Sequence, residues 1–116
     1  KSSPFGTVEN PFSIGELVLG AQGHFYARVP DTDVKLMTQV MIEAERHKGF
    51  AVVEVLQNCV IFNDKTFADI TNKETKANNQ LILEHGKPMR FGENNTKGIR
   101  LNGLALEVVT PGENGK

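Results

Sequence analysis

Cysteine is almost absent from the sequence, since Cys59 is the single one among 116 residues. One cysteine excludes a disulfide within the chain, and it excludes an iron–sulfur cluster held by this chain alone, which needs about four cysteines. Neither sign of charge is in excess, because 13 Lys and Arg stand against 14 Asp and Glu. Without a basic surplus to neutralise phosphates, we do not expect a protein that binds nucleic acid.

Long apolar runs are lacking as well. The longest are a handful of residues, well short of the roughly 20 that a membrane-spanning helix needs. The opening Lys-Ser-Ser-Pro is not followed by the apolar segment of a signal peptide. We therefore expect a soluble, cytoplasmic protein with no membrane partner.

Both ends of the sequence have the composition of loops. The chain opens with Ser, Pro and Gly and without an initiator Met, and it closes with Pro-Gly-Glu-Asn-Gly-Lys. We expect these residues to be a piece of a longer polypeptide. The alternative is a complete protein with processed ends.

The first half of the chain alternates between strand and helix patterns. Residues 24–29 contain the aromatic and β-branched residues of a short strand, and residues 50–56 are apolar except for Glu54, as in a strand covered on both faces of a parallel sheet. Between them we predict a helix that begins at an acidic cap in residues 31–33 and ends at Gly49. Its apolar residues recur at spacings of three and four, namely Val34, Met37, Val40, Met41 and Ala44, with His47 and Lys48 in the last turn. Together these elements predict a βαβ unit of an α/β fold.

The remaining elements are less regular. Another helix is predicted before the βαβ unit. It begins with Asn10 as its cap and Pro11 as its first residue, and it ends at Gly20 or Gly23. Residues 69–84 are predicted to form a loop and then a helix. Residues 91–99 resemble a turn between two extended segments, and residues 101–109 are predicted to pair as a hairpin.

Cys59 is the one candidate site residue that the chemistry of the sequence offers. It lies just past the carboxyl end of the predicted central strand, and in open parallel sheets ligands bind at that edge. A lone cysteine after a buried strand is more often an inert small apolar residue. The three histidines, His24, His47 and His85, are too widely spaced for a local metal site. On residue chemistry alone, Cys59 is therefore a ligand without partners.

A resemblance to a known family covers most of residues 4–67 and continues more weakly to the end. Residues 49–63, GFAVVEVLQNCVIFN, are similar to the beta subunits of 2-oxoacid:ferredoxin oxidoreductases, and most similar to the two-subunit 2-oxoglutarate type. That family has His-Lys-Gly-Phe before the strand, here from His47 to Phe50, and Leu-Gln-x-Cys-Val-x-Phe-Asn after it. The pairs Asn10-Pro11 and Ala27-Arg28 and the acidic start of the central helix also agree in order.

The resemblance implies an enzyme that oxidatively decarboxylates a 2-oxoacid to its acyl-CoA and reduces ferredoxin. The beta subunit of such an enzyme binds thiamine diphosphate, Mg²⁺ and one [4Fe-4S] cluster, and it works with an alpha subunit in a heterodimer. By this resemblance, residues 1–64 are the C-terminal part of the thiamine-diphosphate-binding domain, an open parallel-sheet fold. Residues 65–116 are the C-terminal region of the beta subunit.

The same resemblance gives Cys59 the role of the last cluster ligand in the full-length subunit. The paired cysteines and the Gly-Asp-Gly and Asn motif of the family have no counterpart here and are expected to precede Lys1. At the position before the cysteine, where the family usually has Pro, this sequence has Asn58. Residues 2–6 are a weak candidate for lining the cofactor site. No catalytic residue and no other cofactor contact is assigned. We expect the isolated chain to be inactive, to bind neither cofactor and to leave Cys59 as a free thiol.

Two alternatives remain open at the level of the sequence. In the first alternative the substrate is pyruvate or a branched 2-oxoacid, because selectivity depends on pocket residues that lie mostly outside this chain. The other alternative is a stand-alone α/β module that binds a partner protein and has no chemistry. Composition and periodicity alone do not exclude that module, whereas the loop-like ends and the segment around Cys59 argue against it.

Overall fold

The computed structural model describes residues 4–6 and 8–112. They divide into two compact units, Lys1–Phe67 and Ala68–Lys116. The first unit contains α1 (Ile14–Gly20), β1 (Phe25–Pro30), α2 (Val34–Arg46) and β2 (Ala51–Leu56). The second contains α3 (Ala68–Thr71), α4 (Lys76–Asn79), β3 (Arg90–Phe91), a 3₁₀ turn (Glu93–Asn95), β4 (Lys97–Asn102) and β5 (Ala105–Val109). The mixed α/β class predicted from the sequence is confirmed.

The predicted βαβ unit forms the centre of the first unit. Strands β1 and β2 pair in parallel, from Phe25 opposite Ala51 to Pro30 opposite Leu56, and α2 packs on both of them. The Asp33 side chain caps α2 by accepting a hydrogen bond from the Leu36 amide at 3.0 Å. The helix is followed by Gly49, whose φ of +133° is one that L residues rarely adopt.

One detail of the predicted α2 is wrong. His47 is the residue after the helix, with extended backbone, and not part of its last turn. The predicted apolar stripe is only partly covered, because Val34 is 64% and Met41 is 45% exposed. Two strands are too narrow a platform to cover the whole apolar face of a helix of 13 residues. Among the described residues, Val29 is the one apolar side chain that is fully buried.

The two faces of the parallel sheet carry different side chains, because neighbouring residues of a strand point to opposite faces. The Phe25 ring lies 5.4 Å from the His47 ring at the end of α2, so this face of β1 turns toward α2. The opposite face carries Tyr26, against which α1 packs. A Cβ added to Gly15 of α1 would lie 2.8 Å from the Tyr26 ring, so glycine at this position permits the close approach.

The start of α1 differs from the prediction. The helix is capped by Ser13, whose side chain accepts from the Glu16 amide at 3.4 Å, and its first residue is Ile14. Asn10 and Pro11 precede it without regular structure. Ser followed three residues later by Glu is the sequence of a capping box, and this signal outweighs the Asn-Pro pair. The predicted end at Gly20 is confirmed.

The second unit is built on an antiparallel sheet in the order β3, β4, β5. The predicted hairpin is confirmed and begins earlier than predicted, since Gly98 pairs with Val109 and Asn102 with Ala105. The predicted turn between extended segments is also confirmed, as the 3₁₀ turn between β3 and β4. Of the two residues in the hairpin loop, Gly103 has a φ of +63°, as a glycine at the first position of a tight hairpin turn should.

The loop and single helix predicted for residues 69–84 are only partly correct. Two short helices, α3 and α4, form over residues 68–79, and the apolar residues Leu81, Ile82 and Leu83 have no regular structure. Three consecutive apolar residues do not form the stripe at spacings of three and four that a packed helix needs. Hydrogen bonds from the side chains of Asn79 and Gln80 to the carbonyls of Asp69 and Ile70 join the two short helices instead.

Candidate functional site

The candidate residue Cys59 lies three residues after the end of β2, at the carboxyl edge of the parallel strands. Its thiol is free and exposed. The chain turns back directly after it, because the Asn63 amide donates a hydrogen bond to the Cys59 carbonyl at 2.9 Å. The structure therefore presents the sulfur to the surroundings at the edge where the sequence placed it.

The side chain of Asn58 holds the two ends of this turn together. Its Nδ2 donates to Oδ1 of Asp64 at 2.9 Å, and its Oδ1 accepts from the Lys65 amide at 2.8 Å. The hydroxyl of Thr66 adds a hydrogen bond of 2.7 Å to the Asn63 carbonyl. We call this set of contacts the Asn58 clamp. Where the resembling family has a rigid Pro, this chain fixes the segment with an amide that bonds in two directions.

The residues between Cys59 and Asn63 are all apolar and all exposed. Val60 is 73%, Ile61 is 79% and Phe62 is 57% exposed. We refer to these three residues as the apolar tip. A turn that carries three consecutive exposed apolar side chains is unusual for a protein surface, where such residues normally occur singly.

A polar cluster lies on the face of the sheet that α1 covers. Arg28 and Glu54 are directly opposite in the parallel register, and the Arg28 guanidinium bonds the carboxylate through Nε at 2.8 Å and Nη2 at 3.3 Å. The Tyr26 hydroxyl donates to the same carboxylate. The one charged residue in the otherwise apolar β2 is thus satisfied by two donors from β1.

This arrangement shifts the pKa values of all three groups. Burial acts to raise the pKa of Glu54, but the hydrogen bonds from Tyr26 and Arg28 outweigh it and lower that pKa below its usual range. Burial, together with the hydrogen bond to Glu54, raises the pKa of Tyr26. The hydrogen bond to Glu54 raises the pKa of Arg28. At neutral pH the cluster therefore holds a carboxylate, a guanidinium and a protonated phenol.

Sequence reasoning missed both the polar cluster and the Asn58 clamp. Glu54 was visible as the single interruption of an apolar strand, and this was the available signal for the cluster. For the clamp the signal was weaker, since Asn58 and Asp64 are ordinary loop residues. The polar cluster depends on contacts between residues that are distant in the chain. The clamp depends on a turn that brings Asn58 close to Asp64.

The described residues fit the implied cofactors only in part. An exposed thiol at the strand edge has the chemistry of one thiolate ligand of an iron–sulfur cluster. No group of three or more His, Cys, Asp or Glu that could hold a metal ion occurs in residues 4–6 and 8–112. The residues present therefore fit neither a complete cluster site nor a site for Mg²⁺ and a diphosphate.

The other predicted candidates contribute little to this site. Residues 2 and 3 of the weakly predicted cofactor-lining loop lie outside the described residues. Phe5 of the same loop is fully exposed. No helix formed by the described residues is long and apolar enough to cross a membrane.

Comparison with known proteins gave two curated relatives. The chain is 40% identical over 109 residues to the 2-oxoglutarate oxidoreductase subunit KorB of Mycobacterium tuberculosis, a match that covers 94% of this chain and 29% of the relative. It is 39% identical over 59 residues to the 2-oxoglutarate synthase subunit KorB of Archaeoglobus fulgidus, covering 51% of this chain and 22% of the relative. The chain thus spans less than a third of the length of either relative. No family model and no solved structure matches it.

Proposed function

We propose that this chain, whose resemblance to beta subunits of the KorB type is confirmed over 94% of its length, is a segment of the beta subunit of a 2-oxoglutarate:ferredoxin oxidoreductase. The proposed reaction is the oxidative decarboxylation of 2-oxoglutarate to its acyl-CoA, with reduction of ferredoxin. Both relatives carry 2-oxoglutarate in their names, which supports this substrate over pyruvate and branched 2-oxoacids.

The observation that carries the proposal is the match itself. The position of Cys59 supports it. Identity of 40% extends over 109 residues, so it is not confined to a short motif. Within that chain the one cysteine is a free, exposed thiol at the carboxyl edge of a parallel sheet, the edge at which such sheets bind ligands.

In the whole subunit we propose that thiamine diphosphate, Mg²⁺ and one [4Fe-4S] cluster are bound. Bound there, thiamine diphosphate supplies carbanion stabilisation and the cluster supplies one-electron transfer. The proposed role of Cys59 is to donate one thiolate to the cluster, with the other ligands coming from outside this segment. The Asn58 clamp fixes the backbone on the C-terminal side of Cys59. The Tyr26, Arg28 and Glu54 cluster joins β1 to β2, the strand that precedes Cys59.

The proposed partners are the alpha subunit, coenzyme A and ferredoxin. We assign residues 1–64 to the thiamine-diphosphate-binding domain and residues 65–116 to the C-terminal region of the subunit. The cytoplasm is the proposed location, because the reaction consumes and produces soluble intermediates. The 116-residue chain alone is proposed to be inactive, since it lacks the cysteine pairs and the diphosphate motif.

The test uses the full-length polypeptide, co-expressed under anaerobic conditions with its partner subunit. Iron, acid-labile sulfide and dye reduction dependent on 2-oxoglutarate are measured for the wild type, for Cys59→Ser and for a control, Leu104→Ser, at the exposed hairpin turn. We expect about four iron atoms per beta subunit in the wild type and the control, and loss of cluster and activity together in Cys59→Ser.

Three results would contradict parts of this proposal. A Cys59→Ser variant that keeps its iron and its activity would show that Cys59 is not a cluster ligand. A wild-type complex that reduces the dye with pyruvate but not with 2-oxoglutarate would leave the oxidoreductase assignment intact and overturn the substrate. A native polypeptide of only about this length would favour the stand-alone module instead.

A further inference from the structure

The apolar tip is one of the exposed apolar surfaces of the first unit. Its three side chains are consecutive, and each is more than half exposed. Apolar side chains of β1 and β2 are less exposed than those of the tip, because Val29 is fully buried and Val55 is 37% exposed. The tip therefore differs from its own scaffold in leaving its apolar surface to water.

The backbone of the tip is fixed in this position by hydrogen bonds. The Asn63 amide closes the turn on the Cys59 carbonyl, and the Asn58 clamp ties the residues after the turn back to the end of β2. Both contacts hold the backbone at the base of the tip and leave its side chains exposed. A turn held in place with apolar side chains outward is the geometry of a docking element.

The occupant follows from the amount of polypeptide that the match leaves out. The chain covers 29% of the M. tuberculosis relative, so most of that subunit lies outside the aligned segment. The parallel sheet has only two strands here, and both of its edges are unpaired within the described residues. Parallel sheets are normally covered and extended on every side, so further chain of the same subunit is expected against this part of the fold.

We infer that the apolar tip, Val60, Ile61 and Phe62, docks against the part of the same subunit polypeptide that lies outside this segment. The inference rests on the proposed function, because it takes the chain to be a segment of a KorB-type subunit. The tip directly follows Cys59, so docking brings the sulfur against that covering chain. It also removes water from the sulfur, and the apolar shell around a metal ligand controls solvent access and redox potential.

The test is hydroxyl-radical footprinting of the wild-type full-length subunit, read by mass spectrometry. Labelling of Ile61 and Phe62 is compared between the native subunit and the same subunit unfolded in urea. Val29, which is fully buried in this fold, serves as the protected reference. We expect the tip to be labelled several-fold more slowly in the native subunit alone, at a rate that does not depend on protein concentration.

Three outcomes would overturn the inference. Labelling at the unfolded rate, with Val29 protected, would show a tip that stays exposed in the whole subunit. Protection that develops only on adding the alpha subunit would assign the surface to that partner. Protection that increases with concentration would assign it to a second copy of the chain.

Iron content is measured on the same preparation, so that this inference and the proposed function fail separately. A protected tip in a subunit that binds no iron under anaerobic reconstitution would support the docking and contradict the role of Cys59. Bound iron together with a fully labelled tip would support the role of Cys59 and contradict the docking.

Discussion

Glu54 of β2 lies directly across the parallel sheet from Arg28 of β1, and its carboxylate accepts a hydrogen bond from the Arg28 Nε at 2.8 Å. The Glu54 side chain is 17% exposed and that of Arg28 is 49% exposed. The pair therefore sits at the boundary between the covered face of the sheet and water. It links two strands that are 26 residues apart in the chain.

Replacing Glu54 by Gln is expected to destabilise the fold at neutral pH. Because Arg28 is half exposed, water screens the pair, and we expect a loss of about 0.5–1 kcal/mol in the free energy of unfolding. The folded state lowers the pKa of Glu54, so its contribution is present above the unfolded pKa of about 4.3 and is lost as the pH falls through the folded value. Urea unfolding of the wild type and Glu54→Gln between neutral and acidic pH tests this.

The difference in the free energy of unfolding between the wild type and Glu54→Gln should fall toward zero at acidic pH. Glu43→Gln is the matched control, because Glu43 pairs with Arg46 on the exposed surface of α2, where both side chains are more than 60% exposed. An equal effect of the two substitutions would show that the position of Glu54 in the sheet adds nothing.

Tyr26 is expected to titrate later in the folded chain than in the unfolded chain. Burial and the hydrogen bond to Glu54 raise its pKa, so this contribution to stability is complete below the unfolded pKa of about 10 and is lost as the pH rises through the folded value. Tyr26 is the single tyrosine of the 116 residues, so phenolate absorbance reports on it alone. Identical titration midpoints with and without urea would contradict the burial of its hydroxyl.

Two glycines of α1 are expected to respond in opposite directions to replacement by Ala. A Cβ at Gly15 would meet the Tyr26 ring at 2.8 Å, whereas a Cβ at Gly20 would meet nothing within 4 Å. Gly20→Ala should stabilise the helix by up to about 0.5–1 kcal/mol. Gly15→Ala should destabilise by about 1–3 kcal/mol despite the same gain in helix propensity. Thermal unfolding measures both, and a stabilising Gly15→Ala would mean that α1 does not pack on Tyr26.

The Asn58 clamp is expected to appear as an energetic coupling between Asn58 and Asp64. Asn58→Ala removes the hydrogen bonds to the Asp64 carboxylate and the Lys65 amide, and because these groups are exposed we expect a loss of about 1 kcal/mol. A double-mutant cycle with Asp64→Ala isolates the shared contact and should give a coupling of about 0.5 kcal/mol or more. Strictly additive effects would show that the two side chains act independently.

Much of the fold was predictable because its signals are local. The 3.6-residue periodicity of α2, its Asp33 cap and the turn residues of the β4–β5 hairpin each lie within a short window. Both elements form, although α2 ends before His47 and the hairpin begins earlier than predicted. Local signals predicted the wrong structure where two of them competed or where apolar residues lacked a helical spacing. Ser13 rather than Asn10 caps α1, and the consecutive residues Leu81, Ile82 and Leu83 offered apolar character without a helical spacing.

The sequence by itself determined the resemblance to KorB-type beta subunits and the position of Cys59, because both reside in the order of residues along the chain. The tertiary structure alone decided what surrounds that position. The parallel register brings Arg28 opposite Glu54, and the reversal after Cys59 brings Asn58 to Asp64. Neither pairing has a local signature, since a hydrogen bond depends on the distance and direction between two groups in space, and the tertiary structure sets both.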